Sequence, residues 1–238
     1  MNRTWVVLGA TSIIAEKLAH CAAREGHAII LIGRNVKELT IKAADISLRY
    51  RVSCEVIATD FSKPIINLLS ELYERETELD LIIAHSLMLH NYSLDDVKIA
   101  DLIQVNILST AQLIHTYFQK KQSEHHLLFL SSVAASRGRA KNSLYGGSKA
   151  AIEVYLQGLQ QAATSAQTIT IARLGFIDSK TTYGEPGIFY ASAPERCAAA
   201  CWRAIKLKKR QIYHPFFWRF ILFMIRNLPF FIYRKLRV

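Results

Sequence analysis

Residues Ser131 to Tyr155 read SSVAASRGRAKNSLYGGSKAAIEVY. The apolar run HLLFL, His126–Leu130, leads into a pair of serines, a basic loop follows, and Tyr145 then opens a segment of helical periodicity in which Lys149 comes four positions later. Residues i and i+4 of a helix stack on one face, so the phenol and the ammonium share a side. An apolar strand that passes through a polar loop into a helix is one repeat of a parallel sheet covered by helices.

The same alternation extends in both directions. Strand-length apolar runs are expected near Thr4–Gly9, Ala28–Ile32, Ser53–Ala58, Asp80–Ala84, His126–Leu130 and Thr168–Leu174, with helices over Ile14–Arg24, Val36–Tyr50, Ile65–Glu76, Val97–Lys121 and Leu144–Thr164. This predicts a Rossmann-like, doubly wound parallel α/β sheet forming a single domain over residues 1–215, followed by an amphipathic tail over 216–238. A chain of 238 residues with 51% hydrophobic and 21% charged residues can bury one sizeable core and is not a disordered chain. The cysteines, Cys21, Cys54, Cys197 and Cys201, lack the spacing of a zinc site. Cys197 and Cys201 could share a helix face and are expected to be small buried hydrophobes. No signal-peptide pattern precedes the first strand, so the expectation is a reducing, cytoplasmic compartment.

The net charge of +11 suggests a nucleic-acid partner until its distribution is considered. From Arg203 onward there are 10 basic residues and no acidic one, which leaves 20 basic against 19 acidic residues in the body of the chain. The body is nearly neutral, and no nucleic-acid partner is expected.

The first strand ends in LGATSIIAEKLA, where a turn into a helix would offer backbone N–H groups to a pyrophosphate through Gly9, Thr11, Ser12, Ile13 and Ile14. Gly9 is the sole glycine of the fingerprint, because Ile13 and Ala15 stand at the two later positions. Ala15 still allows close helix packing, but Ile13 puts a side chain where the backbone would approach the phosphates, and a plain strand-to-helix turn stays open as a reading. Arg34, in LIGRN at the end of the second strand, stands where an acidic residue would bind the ribose 2′-hydroxyl of NAD. Its guanidinium suits a 2′-phosphate and favours NADP, with NAD left open. Asp60, in ATDFSK after the third strand, is placed to meet the adenine ring, although Asp is also a common helix-entry residue, and Phe61 beside it is expected among the cofactor-binding residues.

The spacing of Tyr145 and Lys149 has chemical content. A free phenol has a pKa of about 10, and a nearby ammonium would lower it toward use as a general acid. Ser132 ends the preceding strand, where its hydroxyl could bond the same carbonyl oxygen, and Asn106 in IQVNILST sits mid-helix, an awkward place for an asparagine unless its amide has work to do.

Taken in order, Asn106 in QVNILST, Ser132 in LFLSSVA, and Tyr145 and Lys149 in YGGSK resemble the Asn-Ser-Tyr-Lys tetrad of the short-chain dehydrogenase/reductase family, and the likeness runs from Thr4 to about Pro215. The resemblance implies hydride transfer from a nicotinamide to a carbonyl carbon, with Tyr145 donating the proton, Ser132 positioning the carbonyl, Lys149 holding the nicotinamide ribose, and Asn106 supporting a water relay. It also implies nicotinamide contacts from RLGFIDSKTT at Gly175, Ile177 and Ser179, and a homodimer or homotetramer formed through the Val97–Lys121 and Leu144–Thr164 helices. IAHSL departs from the family's Asn-Asn-Ala-Gly, so Ala84, His85 and Ser86 replace the usual cofactor contacts.

The tail, YHPFFWRFILFMIRNLPFFIYRKLRV, is interrupted by Arg219, Arg226 and Pro229 and holds no run of about 20 apolar residues. It suits a helix lying in an anionic membrane surface, or a segment packed on the core or on a second subunit. Arg137, Arg139 and Lys141, between Ser132 and Tyr145, form either a substrate-phosphate site or a solvated basic loop. IRNLP, FIYRKL and the catalytic stretch together resemble the decaprenylphosphoryl-2-keto-ribose reductases within the same family. That likeness implies a keto sugar on a lipid phosphate as substrate, a flavin-dependent oxidase as partner, and work at the cytoplasmic face of the membrane. A soluble reductase of acyl-thioesters or small ketones, and a non-catalytic nucleotide-sensing or scaffold protein, remain as alternatives.

Overall fold

The computed structural model describes residues 3–178 and 190–236. Seven parallel strands form one sheet in the order β3-β2-β1-β4-β5-β6-β7: β1 (Thr4–Leu8), β2 (Ala28–Gly33), β3 (Cys54–Ala58), β4 (Leu79–Ile83), β5 (His125–Ser132), β6 (Gln167–Leu174) and β7 (Gln211–His214). Because successive side chains of a strand point to opposite faces, each central strand feeds two cores. Trp5 and Val7 of β1 join α1 (Ile13–Arg24) and α2 (Val36–Tyr50) on one face, together with Cys197, Cys201 and Trp202 of a later helix. Val6 and Leu8 join α3 (Ile66–Glu74) on the other face, with Leu113 and Ile114 and with Ile152 and Leu156 from two further helices. The doubly wound, single-domain sheet expected from the periodicity is the fold observed.

Three departures matter for the site. The expected helix over Val97–Lys121 is α4 (Asp96–Ile103), a π-helical segment (Gln104–Leu108) and α5 (Ser109–Gln119). After α6 (Ser143–Ala162) and β6, a helix absent from the expected set, α7 (Pro194–Lys206), starts at a proline, which suits the first helical position, and buries Cys197 and Cys201 in the core. β7 then pairs Ile171 with Gln211 and Leu174 with His214; its four partly exposed residues carry too little apolar patterning to read as a strand.

The tail is built into the fold. α8 (Trp218–Asn227) and α9 (Phe230–Tyr233) follow β7, and Trp218 and Leu222 are buried against Val133, with Phe176 and Tyr213 beside them. A Cβ on Gly175 would lie 1.9 Å from Trp218 Nε1, so the glycine at the end of β6 is what lets the indole in.

At the opposite edge of the sheet, the fully buried Asp80 of β4 accepts from Arg3 Nε (2.6 Å), Arg3 Nη2 (2.9 Å) and the backbone N–H of His126 (3.0 Å), tying the start of β1 to β4 and β5. Burial alone would raise the Asp80 pKa, but bonds from His126 and Arg3 outweigh it and hold the carboxyl below its ordinary range. A depressed carboxylate pKa stabilises the fold above the unfolded value and loses that contribution as pH falls through the folded one. Asp80→Ala is expected to lower the unfolding free energy at pH 7 by about 3–5 kcal/mol in urea denaturation. The gap between variant and wild type should narrow below about pH 4.

Candidate active site

All strands being parallel, their C-terminal ends lie on one edge, and the winding reverses between β1 and β4, which opens a crevice there. A cleft of about 2000 Å³ occupies this edge. Gly9 closes β1 at φ +78°, and a Cβ on it would lie 2.5 Å from the backbone nitrogen of His85, so the turn after β1 presses on the turn after β4. Ser12 caps α1 without a side-chain hydrogen bond, leaving first-turn N–H groups beside the cleft that Thr11, Ser12, Ile13 and Ile14 line. This cradle fits a pyrophosphate, with Ile13 as part of its wall.

Arg34 is exposed at the end of β2 and lines the same cleft, a position that fits a further phosphate. Asp60 Oδ1 accepts from the backbone N–H (3.1 Å) and hydroxyl (2.9 Å) of Ser62, a closed turn that holds its carboxyl low. Phe61 stacks on His85 with ring centroids 4.0 Å apart and planes 11° apart. His85 Nε2 lies 2.9 Å from Thr110 Oγ1, and burial, followed by the charge of Lys149, takes its pKa down to about 3. The ring is therefore neutral at physiological pH and forms part of the cleft wall with Ala84.

Across the cleft, Ser132 ends β5 and its Oγ accepts from Ala134 N–H at 3.1 Å. The side chains of Ser132 and Ser86 approach the phenol of Tyr145 on the first turn of α6 and pull its pKa down. Burial nevertheless dominates and raises the Tyr145 pKa, against the pull of those two hydroxyls and of Arg139. The expected lowering by Lys149 is not found. Lys149 Nζ instead donates to Leu130 O at 3.0 Å and sits 4.8 Å from the centre of the Phe129 ring. Burial brings its own pKa down to about 8, opposed by Glu153.

Asn106 lies within the π-helical segment, a distortion that often marks functional positions. Its Nδ2 donates to Leu87 O and to Ser148 Oγ, both at 2.9 Å, and its Oδ1 accepts from Leu87 N–H at 2.7 Å. Ser148 Oγ in turn donates to Tyr145 O at 2.8 Å, so Asn106 clamps the loop after β4 to the turn that carries the phenol.

Arg137, expected with Arg139 and Lys141 at a substrate phosphate, is turned away from the cleft. Its Nη1 donates to Ile225 O (2.6 Å) and Leu228 O (2.7 Å), and its guanidinium lies 3.9 Å over the Tyr233 ring. The carbonyls at the end of α8 are a strong acceptor site for a cation, which accounts for the capture. Arg139 and Lys141 do line the cleft, as do Gly175 and the buried Ile177. Ser179 lies outside the described residues.

Three lining or supporting residues were not singled out from the sequence. Glu153 is one helical turn beyond Lys149, a spacing visible in the sequence. Arg234 and Lys235 reach the cleft only because the tail folds back.

The pattern of the short chain dehydrogenase family matches residues 3–184. The chain belongs to this family. An uncharacterized oxidoreductase of Staphylococcus epidermidis is 26% identical over 187 residues, covering 75% of this chain and 80% of its own length. Another, from Mycobacterium tuberculosis, is 35% identical over 111 residues, covering 46% of this chain and 45% of its own. Among solved structures, a short-chain dehydrogenase from Sphingobium yanoikuyae in complex with NADPH superposes with a TM-score of 0.84 at 18% identity, covering 90% of this chain and 88% of its own. Family membership makes the protein an oxidoreductase, and the tetrad positions Asn106, Ser132, Tyr145 and Lys149 all fall on the one cleft or its direct support.

Lys149 is expected to titrate near pH 8, read from its side-chain carbon shifts by NMR. Glu153→Gln removes the charge that raises this pKa and should move the titration to lower pH. A midpoint near the ordinary lysine value in both proteins would mean that Nζ is in water.

Proposed function

We propose that the protein is an NADPH-dependent reductase that converts a ketone on a hydrophobic, phosphate-bearing substrate to an alcohol. The observation that carries the reading is the convergence of Tyr145, Ser132 and Lys149 on the cleft whose other end is the open N-terminus of α1 and Arg34. NADPH, when bound, supplies the hydride. The α1 amides would hold its pyrophosphate, Arg34 its 2′-phosphate, and Lys149 a ribose hydroxyl. Tyr145 gives its proton to the carbonyl oxygen, Ser132 holds that oxygen by a hydrogen bond, and Asn106 positions the phenol through Ser148 and supports proton resupply. A raised phenol pKa keeps Tyr145 protonated and ready to donate at neutral pH.

The finer reading is a keto sugar on a polyprenyl phosphate, as in the decaprenylphosphoryl-2-keto-ribose reductases that the catalytic stretch and tail resemble, acting with a flavin-dependent oxidase at the inner membrane face. It is supported by the outer surface of the tail, where Phe216, Phe220, Phe223, Met224, Phe230 and Phe231 are exposed on a segment without acidic residues. A homodimer or homotetramer is supported by Val97, Ile99, Ile103 and Leu108 along α4 to α5 and Val154 on α6, all exposed. Deleting the tail does not distinguish this reading from a soluble reductase of small ketones. Trp218 packs on Gly175 and Val133, so the deletion would open the cleft wall in either case.

Titration by nicotinamide fluorescence should give tighter binding of NADPH than of NADH, with Arg34→Ala weakening NADPH by about 10- to 100-fold and leaving NADH little changed. Tyr145→Phe should lower kcat by roughly 10²- to 10⁴-fold with NADPH binding retained. A chain that binds neither nucleotide would favour the scaffold alternative.

For the membrane half, the triple change Phe220→Ser, Phe223→Ser and Phe230→Ser removes exposed rings and leaves Trp218 and Leu222 buried. Wild type should co-sediment with vesicles containing phosphatidylglycerol and lose this at high salt, while the triple variant stays in the supernatant.

A further inference from the structure

The ends of β4 and β5 bring a second serine to the proton donor. The register pairs Leu81 with Leu127, Ile82 with Leu128 and Ile83 with Phe129. Three residues further along the two chains stand Ser86 and Ser132, beyond neighbouring strands that lie about 4.8 Å apart. Both serines line the cleft together with Tyr145, and Ser86 is exposed. Its position is fixed from either side. His85 before it is buried, bonded to Thr110 and stacked on Phe61. Leu87 after it donates its N–H to Asn106 Oδ1 at 2.7 Å and accepts from Asn106 Nδ2 at 2.9 Å. Because Asn106 also bonds Ser148, whose hydroxyl donates to Tyr145 O, one amide holds both the segment of Ser86 and the turn that carries the phenol.

Reduction of a ketone calls for hydrogen-bond donors at two oxygens. As the carbonyl carbon takes the hydride, the π electrons of the C=O bond pass to its oxygen, which takes the phenol proton, and Tyr145 is left as a phenolate. Ser132 Oγ already accepts from Ala134 N–H at 3.1 Å and has a single O–H to give, to the substrate oxygen or to the phenol. Lys149 Nζ is directed to Leu130 O at 3.0 Å. The groups that favour the phenolate are the hydroxyls of Ser132 and Ser86 and the charge of Arg139, all working against burial. A donor already in place where charge develops needs no reorganisation at the moment of reaction.

We propose that Ser86 is a further catalytic residue, whose hydroxyl donates to Tyr145 Oη as the phenolate forms and so leaves the Ser132 hydroxyl for the substrate oxygen. Ser86 therefore serves the proton donor, where the segment IAHSL was expected to serve the cofactor. Its part in the reaction rests on the reductase reading, whereas its contact with the phenol does not.

The test is the titration of the phenol, read by fluorine NMR of the full chain carrying fluorotyrosine, which ionises at milder pH than tyrosine; Tyr145→Phe identifies the resonance. A hydrogen bond to the charged form favours it, so Ser86→Ala should raise the Tyr145 midpoint by about one pH unit. Ser86→Thr, which keeps the hydroxyl, should restore it. An unchanged midpoint in Ser86→Ala overturns the assignment, and weakened NADPH binding beside it would return Ser86 to the cofactor. A raised midpoint that Ser86→Thr leaves raised also overturns it, because the hydroxyl is then not the cause. With NADPH and cyclohexanone as the ketone probe, Ser86→Ala should lower kcat about tenfold and leave the KM for NADPH unchanged. An unchanged kcat overturns the catalytic role, and where wild type leaves cyclohexanone unreduced the midpoint alone decides. A midpoint that shifts as expected in a chain that binds no NADPH keeps the contact and removes the reductase reading together with the catalytic role.

Discussion

The carboxylate of Glu153 is the buried charge around which the reactive edge is assembled. One oxygen accepts from Ser131 at 2.5 Å at the end of β5, and the other from Arg173 Nε (2.8 Å) and Nη2 (2.5 Å) on β6. Arg173 carries the connection on to Tyr213 of β7 at 2.8 Å. Burying such a pair is costly and becomes tolerable only when every lone pair and proton finds a partner, which the interlocking of three strands and α6 provides. One helical turn away, Lys149 is desolvated, and Glu153 is the charge that keeps its pKa from falling further. Helix register, strand alignment and the protonation of the site lysine are therefore coupled through one side chain.

The tail belongs to the same assembly. Trp218 lies over Gly175, Leu222 rests on Val133, and Arg137 reaches across to cap α8, so the loop between Ser132 and Tyr145 is braced by the last part of the chain. A helix with one buried stripe and an opposite face of exposed rings can be anchored to the body while presenting apolar surface outward. That division explains how a strongly basic, aromatic segment contributes to the cleft wall and still leaves an apolar face exposed.

The electrostatics of the tyrosine site show how burial redirects a motif. The i, i+4 spacing of Tyr145 and Lys149 promises a phenol acidified by an ammonium, yet the ammonium is committed to Leu130 O and itself weakened by desolvation. The hydroxyls of Ser86 and Ser132 and the charge of Arg139 act on the phenol instead, and they do not overcome its burial. Spacing along a helix gives proximity of side chains, whereas the sign of a pKa shift depends on what else surrounds them.

Period-two and helical patterning, with long apolar runs, determined six of the strands, the two-faced sheet and the positions of Gly9 and Ser132 at strand ends and of Tyr145 and Lys149 in the first two turns of α6, because these follow from local geometry and from which residues must leave water. The strand β7 was not legible, since four partly exposed residues carry no alternation, and the helix α7 was missed although its cysteines pointed to it. Nor could the sequence say that Arg137 serves a helix end while its near neighbour Arg139 lines the cleft: both are cations on one loop, and only the return of a segment some 90 residues later divides them. Hydrogen bonding and desolvation depend on groups distant in the chain, so the elements of the fold were written locally and the charge state and composition of the cleft were decided by tertiary structure.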